Sequence, residues 1–463
     1  MTKVRGMNSV KQVRKFDILL SGGTLLTMSP SMEIIEDSVV GISNGRFSLV
    51  ASRKDCPLET LDDVEMIDAE GCILLPGLVN THTHLPMTAF RGMADDLPLM
   101  TWLQEYIFPA EARYVNREMV YTTSMLGIAE MILSGTTTFG DGYFFESSVI
   151  QAAIDAGMRG VAGMGFIDYP APGRSDPSGH GPAAEKFLDR WLGYSPMITP
   201  ALFCHAPYTC STETITLIKN LAHQAGVPFM IHLSETEEEV GIIRHRYGSL
   251  PVHHLQSIHA LDERTIAIHC NWLTDEEIDI LANLHVKVSH NPESNMKLAT
   301  GMARIPLMLE KRITVGLGTD GCASNNDMDL FHEMDTAAKV HKLIERNPTV
   351  MDAPAVLKMA TIEGARVLGL EKEIGSIEVG KHADLIAVDI DSPHLTPLYN
   401  PYSHLVYAAC GADVVLSIIG GRIIMRDRKL LTADLQAIQT EVQKLALTIK
   451  ADHKSHFKER ISS

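Results

Sequence analysis

CILLPGLVNTHTHLP, residues 72–86, runs from an apolar β-type stretch straight into a pair of histidines. In an extended chain residues i and i+2 share a face, so His82 and His84 point the same way. Two imidazoles so placed can ligate one metal ion. Seven further short β-type runs follow in series, each trailed by turn residues and then a helical stretch. They are TTTFGDG (136–142), GVAGMGFID (160–168), ITPALFCHA (198–206), PFMIHLSE (228–235), TIAIHCN (265–271), VKVSHNP (286–292) and ITVGLGTDG (313–321).

Strands alternating with helices predict an α/β fold with a parallel sheet, and eight such units in this length predict a (β/α)8 TIM-type barrel. An open doubly wound sheet has the same local pattern, but no glycine-rich dinucleotide fingerprint follows an early strand. The flanks have a different texture. FDILLSGGTLLTM and SVVGISNGRFSLV on one side, ADLIAVDI (383–390) and VVLSIIGGRIIM (414–425) on the other, read as short antiparallel strands. They predict one composite β-sandwich domain built from both ends of the chain. The expected division is residues 1–71 and 372–431 for that domain, 72–371 for the barrel, and 432–463 for a C-terminal helix and tail. Leu435, Ile438, Val442, Leu445 and Ile449 recur at helical spacing in that last stretch, with Thr432 or Asp434 as the cap.

Composition narrows the partners. Across 463 residues there are 40 Lys+Arg against 57 Asp+Glu, a formal charge of −17. That balance argues against nucleic-acid and anionic-membrane partners, which need clustered positive charge. No apolar run approaches the roughly 20 residues that cross a bilayer. Seven cysteines with no CxxC pair predict a reducing, cytoplasmic setting rather than a disulfide scaffold. Residues 1–15 hold five basic residues and no acid, and read as a short basic tail.

Barrel active sites lie at the C-terminal ends of the strands. Those ends carry His82 and His84, His205, His232 and Glu235, His269, His290, and Asp320. Taken singly, each has an ordinary use: a surface pair, a core histidine, a helix cap. Taken together, His82, His84, His232 and Asp320, four residues of ligand type on three strand ends, predict a mononuclear metal site. Glu235, three residues past His232, suits proton transfer without being a ligand. Glu237–Glu239 read instead as charges at a helix start. His269 is a fifth ligand or a partner of the metal's water, and His290 is divided between a turn and the site. Strand four ends without the lysine that bridges two-metal barrels, so one divalent ion is expected, which suits attack on an amidine-like ring carbon. Nitrogen and oxygen donors accept zinc, iron or manganese.

PGLVNTHTHLPMTAFRGMADDLPLMTWL (76–103), CHAPYTCS (204–211), IHLSET (231–236), SHNPESNMKLATG (289–301) and GLGTDGCASNN (316–326) resemble the amidohydrolase superfamily. Within it they are most similar to the S-adenosylhomocysteine/5′-methylthioadenosine deaminases, near the chlorohydrolases and triazine deaminases. The resemblance implies one zinc ion on His82, His84, His232 and Asp320. It implies that Glu235 protonates the ring nitrogen, that His269 orients the attacking water, and that Asp320 passes the water's proton toward leaving ammonia. It further implies nucleoside contacts from Glu111 and His205, with Ser324 close by, and assembly into a homo-oligomer. One position departs from the pattern. Met164 stands where deaminases of S-adenosylhomocysteine carry an arginine for the amino-acid carboxylate, leaving Arg174 in the next loop as a single substrate-binding cation. An uncharged 5′ group is therefore expected, as in adenosine, 5′-deoxyadenosine or 5′-methylthioadenosine. The alternatives are an aminohydrolase or chlorohydrolase of a triazine, pterin, guanine or cytosine ring, and a non-catalytic scaffold. Tyr143, Phe144 or Phe145 could lie against a flat ring, although packing between barrel and helix is their commoner use.

Overall fold

The computed structural model describes residues 16–56, 64–174 and 176–461. The basic tail lies outside the described residues. Gly77 divides the opening run in two, which corrects the expectation of one barrel strand over 72–80. Cys72–Pro76 pairs antiparallel with Leu385–Asp389 and parallel with Thr24–Leu26, in the flanking domain. Leu78–Thr83 then enters the barrel. A Cβ on residue 77 would sit 2.1 Å from the Thr137 hydroxyl, so only glycine lets the chain pass.

The barrel strands are β1 (Leu78–Thr83), β2 (Thr136–Tyr143), β3 (Arg159–Phe166), β4 (Ile198–Cys204), β5 (Phe229–Leu233), β6 (Thr265–His269), β7 (Lys287–His290) and β8 (Val315–Leu317). They pair in parallel in chain order, giving the eight-stranded sheet that the runs predict. The ring draws together between β1 and β8, where the Thr81 hydroxyl donates to the Leu317 carbonyl at 2.9 Å and the Asp320 N–H donates to the His82 carbonyl at 3.0 Å. Val79, Val161, Phe203, Met230, Ile266 and Ile268 fill the interior, and Ala365, Val367 and Leu368 plug its lower end. The barrel interior is thus a packed core, not a pore.

Helices follow the strands where the sequence carries caps. The Ser211 hydroxyl accepts from the Thr214 N–H to start Thr212–Ala225, and Thr274 with Glu277 forms a capping box on Asp275–Asn283. The flanks form two sheets. One runs in the order Arg46–Ser52, Ser38–Ser43, Ile18–Ser21, Glu65–Asp68. The other joins Thr24–Leu26 and Cys72–Pro76 to Leu385–Asp389 and Val414–Ile419, mixing strands from both ends of the chain. Leu20, Val40, Phe47, Leu74, Leu385 and Ile418 share one buried cluster between them. The last helix, Leu435–Ile461, is capped by Asp434, which accepts from the Ala437 N–H at 3.0 Å. It packs on the helix Arg117–Leu133. Among the described residues no helix is long and apolar enough to cross a membrane.

A buried ion pair ties the barrel to its flank. Arg159, at the start of β3, donates to both carboxylate oxygens of Asp384 at 2.7 and 3.2 Å, and both side chains are almost wholly buried. Replacing Asp384 by Ala strands the guanidinium, and unfolding in urea is expected to show a loss of about 3–5 kcal/mol. Exchanging both partners for apolar residues of similar size is expected to cost much less.

Candidate active site

At the upper mouth the strand ends converge. His82 Nε2 lies 3.2 Å from His232 Nε2 and 3.4 Å from Asp320 Oδ1, and His84 Nε2 is also 3.4 Å from Asp320 Oδ1. His269 Nε2 stands at the edge, 4.0 Å from Asp320 Oδ2 and 3.9 Å from Glu235 Oε2. Asp320 and His269 hold left-handed backbones, with φ of 62° and 71°. Such strain in non-glycine residues persists only where the surroundings impose it. For Asp320 the constraint is its N–H bond to the His82 carbonyl, together with two hydroxyls, Ser294 (2.7 Å) and Ser324 (3.1 Å), that donate to Oδ2.

These groups fit a bound cation. The Nδ1 atom of His84 donates to the Gly142 carbonyl at 2.6 Å, so Nδ1 carries the hydrogen and Nε2 is the nitrogen left to serve as a ligand. In the ring's neutral form that nitrogen and the carboxylate oxygen it faces are two lone pairs with nothing of their own to share. Burial pushes His82 down to about 4 and His232 well below the usual imidazole range, so both rings are neutral donors. Burial alone would raise Asp320, but the hydrogen bond from His82 and the histidines around it hold it well below the carboxylate range. Three imidazole nitrogens and one anionic oxygen make a donor set suited to a divalent ion such as zinc. His82, His232 and His269 can likewise bring their nitrogens within 4.8 Å of one another, which leaves His269 beside the same centre.

Glu235 is largely enclosed, its side chain 13% exposed, and the desolvation raises its carboxyl, so it retains a proton more readily than a free glutamate. Its backbone is pinned by the last of the three glutamates that the sequence predicts as helix-start charges. Glu239 is 2% exposed, and its two oxygens accept the N–H groups of Ser234 and Glu235, each at 2.9 Å. The spacing Thr236-x-x-Glu239 was the available signal, because Thr236 caps the same helix. His290 turns away from the mouth, with Nε2 3.0 Å from Nε2 of His341 on an outer helix, so its use is structural.

Above this cluster lies a cavity open to solvent at the barrel mouth. Its polar lining includes Glu111, Tyr143, His205, Glu235 and Ser324, and its apolar wall includes Trp102, Leu103 and Phe108. Glu111 projects from the helix Phe108–Tyr114, and its Oε1 accepts the Tyr143 hydroxyl at 2.5 Å. His205 has Nδ1 2.8 Å from the Thr209 hydroxyl. Phe144 also lines the cavity, whereas Phe145 turns the chain in a left-handed conformation, φ 55°. Met164 and Arg174 are not among the lining residues. Arg174 donates to the Gly165 carbonyl at 3.0 Å and lies over the Phe166 ring. The apolar wall had no legible signal, since apolar residues at helical spacing read first as core.

A barrel whose mouth gathers three histidines, an aspartate and a protonatable glutamate, beside a composite β domain, is the architecture of a barrel metallohydrolase. The chain belongs to the amidohydrolase family, whose pattern matches residues 73–424. It is 48% identical over 434 residues to a 5-methylthioadenosine/S-adenosylhomocysteine deaminase of Syntrophobacter fumaroxidans, covering 94% of this chain and 98% of the relative. It is 43% identical over 433 residues to a 5′-deoxyadenosine deaminase of Methanosarcina mazei, covering 93% and 98%. Among solved structures, an adenosine deaminase from Xanthomonas campestris with bound zinc superposes with a TM-score of 0.92 at 37% identity, over 94% of this chain and 99% of that one.

Glu111 gives the site a measurable cost. Burial pushes its carboxyl from 4.5 up to about 7, against a smaller lowering by the Tyr143 hydroxyl. Between those values the folded chain keeps a proton that the unfolded chain has released, so this group's stability contribution falls as pH rises through the window. Relative to the parent, Glu111→Gln is expected to gain about 3 kcal/mol by pH 8 and nothing below about pH 4. Denaturant titrations at the two pH values read the difference.

Proposed function

We propose that the protein removes the amino group of an adenine nucleoside by hydrolysis, releasing ammonia. The observation that carries this reading is the pairing, in one cavity, of the donor cluster and Glu235 at the base with the Glu111–Tyr143 pair on the wall. A purine placed with its amino-bearing carbon at the cluster puts its sugar toward that wall, and a carboxyl group is suited to ribose hydroxyls. A triazine or pterin ring would leave Glu111 without such a partner. The names of the relatives, adenine-nucleoside deaminases, point the same way.

A divalent ion, zinc in this reading, held by His82, His84, His232 and Asp320, supplies Lewis-acid activation of the attacking water. The chain's own residues do the rest. Glu235 delivers its proton to the ring nitrogen next to the attacked carbon, which makes that carbon a better electrophile. His269 orients the water, and Asp320 takes up its proton and passes it toward the departing amine. His205 lies against the nucleoside, and Ser324 keeps the Asp320 carboxylate in register. The wall of Leu103, Phe108 and Ile167 suits an uncharged 5′ group. Arg174, turned to the Gly165 carbonyl, is left out of this assignment. Seven free thiols support a cytoplasmic setting for this reaction. The family resemblance supports self-association of the chain.

Ammonia release is to be followed for the zinc-loaded protein on adenosine, 5′-methylthioadenosine, 5′-deoxyadenosine, S-adenosylhomocysteine, guanine, cytosine and melamine. Turnover of the uncharged adenine nucleosides is the expected result; silence on all of them, or preference for another ring, would overturn the reading. Glu235→Gln keeps the shape and loses the acid. It is expected to lower kcat by at least about a hundredfold while zinc content, measured by atomic emission, stays at the parent level.

A further inference from the structure

Two buried amides outside the cavity decide where the proton of His269 sits. A backbone carbonyl can only accept, so the Asn271 atom 3.0 Å from the Glu235 carbonyl is Nδ2. The other end of that amide, Oδ1, then faces Nδ2 of Asn295 and accepts from it at 2.9 Å. This leaves Asn295 Oδ1 directed at Nδ1 of His269, 2.8 Å away. An amide oxygen also only accepts, so Nδ1 carries the hydrogen. We propose that Asn271 and Asn295 are positioning residues that hold the His269 hydrogen on Nδ1, so that in the ring's neutral form Nε2 is the bare nitrogen and is turned toward Glu235 and Asp320.

Every member of the chain is deeply buried: His269 and Asn295 are 1% exposed, Asn271 6% and Thr300 4%. Thr300 adds a second acceptor for Asn271 Nδ2 at 3.3 Å. Inside a protein such a fully satisfied network has one low-energy arrangement, because reversing any amide sets two acceptors or two donors face to face. It also supports the strained backbone beneath it. His269 and Cys270 are consecutive left-handed residues, φ 71° and 55°, and the adjoining Trp272 N–H is bound to the Ser234 carbonyl at 3.0 Å.

The inference rests on the proposed role of His269 as the group that orients water, and it specifies that role. A bare Nε2 accepts a hydrogen bond from the water and cannot donate a proton to the substrate. Proton delivery to the ring therefore belongs to Glu235 alone. The same network joins the two groups physically, since it begins on the Glu235 carbonyl and ends on the His269 ring. Their spacing, 3.9 Å from Glu235 Oε2 to His269 Nε2, is set by amides that touch neither substrate nor reacting atoms.

The test is nitrogen NMR on metal-free protein carrying labelled histidine, with the His269 signals assigned by their loss in His269→Gln. The expected spectrum shows Nδ1 protonated and Nε2 unprotonated. In Asn295→Leu the ring is expected to shift to the other tautomer or a mixture. With zinc content at the parent level, kcat should fall at least about tenfold while KM stays within about threefold. A proton on Nε2 in the parent would overturn the proposal, as would an Asn295→Leu protein with parental tautomer and kcat. If that variant does not fold, the parent spectrum alone decides. The spectrum needs no substrate, so the expected tautomer in a protein that deaminates no nucleoside would sink the functional reading and leave this one standing.

Discussion

One backbone hydrogen bond, from the Asp320 N–H to the His82 carbonyl, both draws the last barrel strand onto the first and sets two members of the donor cluster against each other. Closure and site are therefore a single constraint. The barrel cannot open between β1 and β8 without pulling Asp320 off His82, and Asp320 cannot relax its left-handed φ without loosening the ring. Parallel strands place their C-terminal ends at one rim, so side chains hundreds of residues apart meet without any long excursion of the chain.

A second organising element is the hexapeptide Asp141–Glu146, at the end of β2 and the start of its helix. Asp141 Oδ1 accepts the Thr83 hydroxyl at 2.6 Å and the Leu85 N–H at 2.7 Å, gripping the chain on both sides of His84. The Gly142 carbonyl fixes the His84 tautomer. Tyr143 holds Glu111. One strand end thus sets a corner of the donor cluster and the polar wall of the cavity, which couples any shift in one to the other.

This arrangement is costly for folding. Glu111, Asp141 and Glu239 are buried carboxyls pushed up to about 7, 6 and 8, and burial is the first cause in each case. A fold optimised for stability alone would carry apolar residues there. They persist because each aims another group: Glu239 the backbone of Glu235, Asp141 the loop around His84, Glu111 the cavity wall. Arg159 and Asp384 represent the other kind of buried charge, a paired one that docks the barrel on its β flank and lies far along the chain from the chemistry.

The order of β-type runs, the residue types at their ends and the caps between them were enough to read the barrel and the composite flank, and to single out the histidine–aspartate–glutamate set as the candidate site. Each is a local pattern, and the geometry of parallel strands turns a list of strand ends into a cluster. Gly77 hid a domain boundary inside one apolar run, because periodicity does not register a steric demand for a missing side chain. The sequence leaves His290 divided between a turn and the site, and misplaces Glu239, for a related reason. A histidine beside a turn and a glutamate in a helix's first turn look the same whether they face solvent, a neighbour or a reacting group. By itself the sequence determined which chemistry the chain carries and in what order its pieces occur. The tertiary structure alone decided which polar groups face one another, and so the hydrogen positions, the buried charges and the shape of the cavity. Those depend on contacts between residues far apart in sequence, and no local pattern encodes the direction in which a side chain finds its partner.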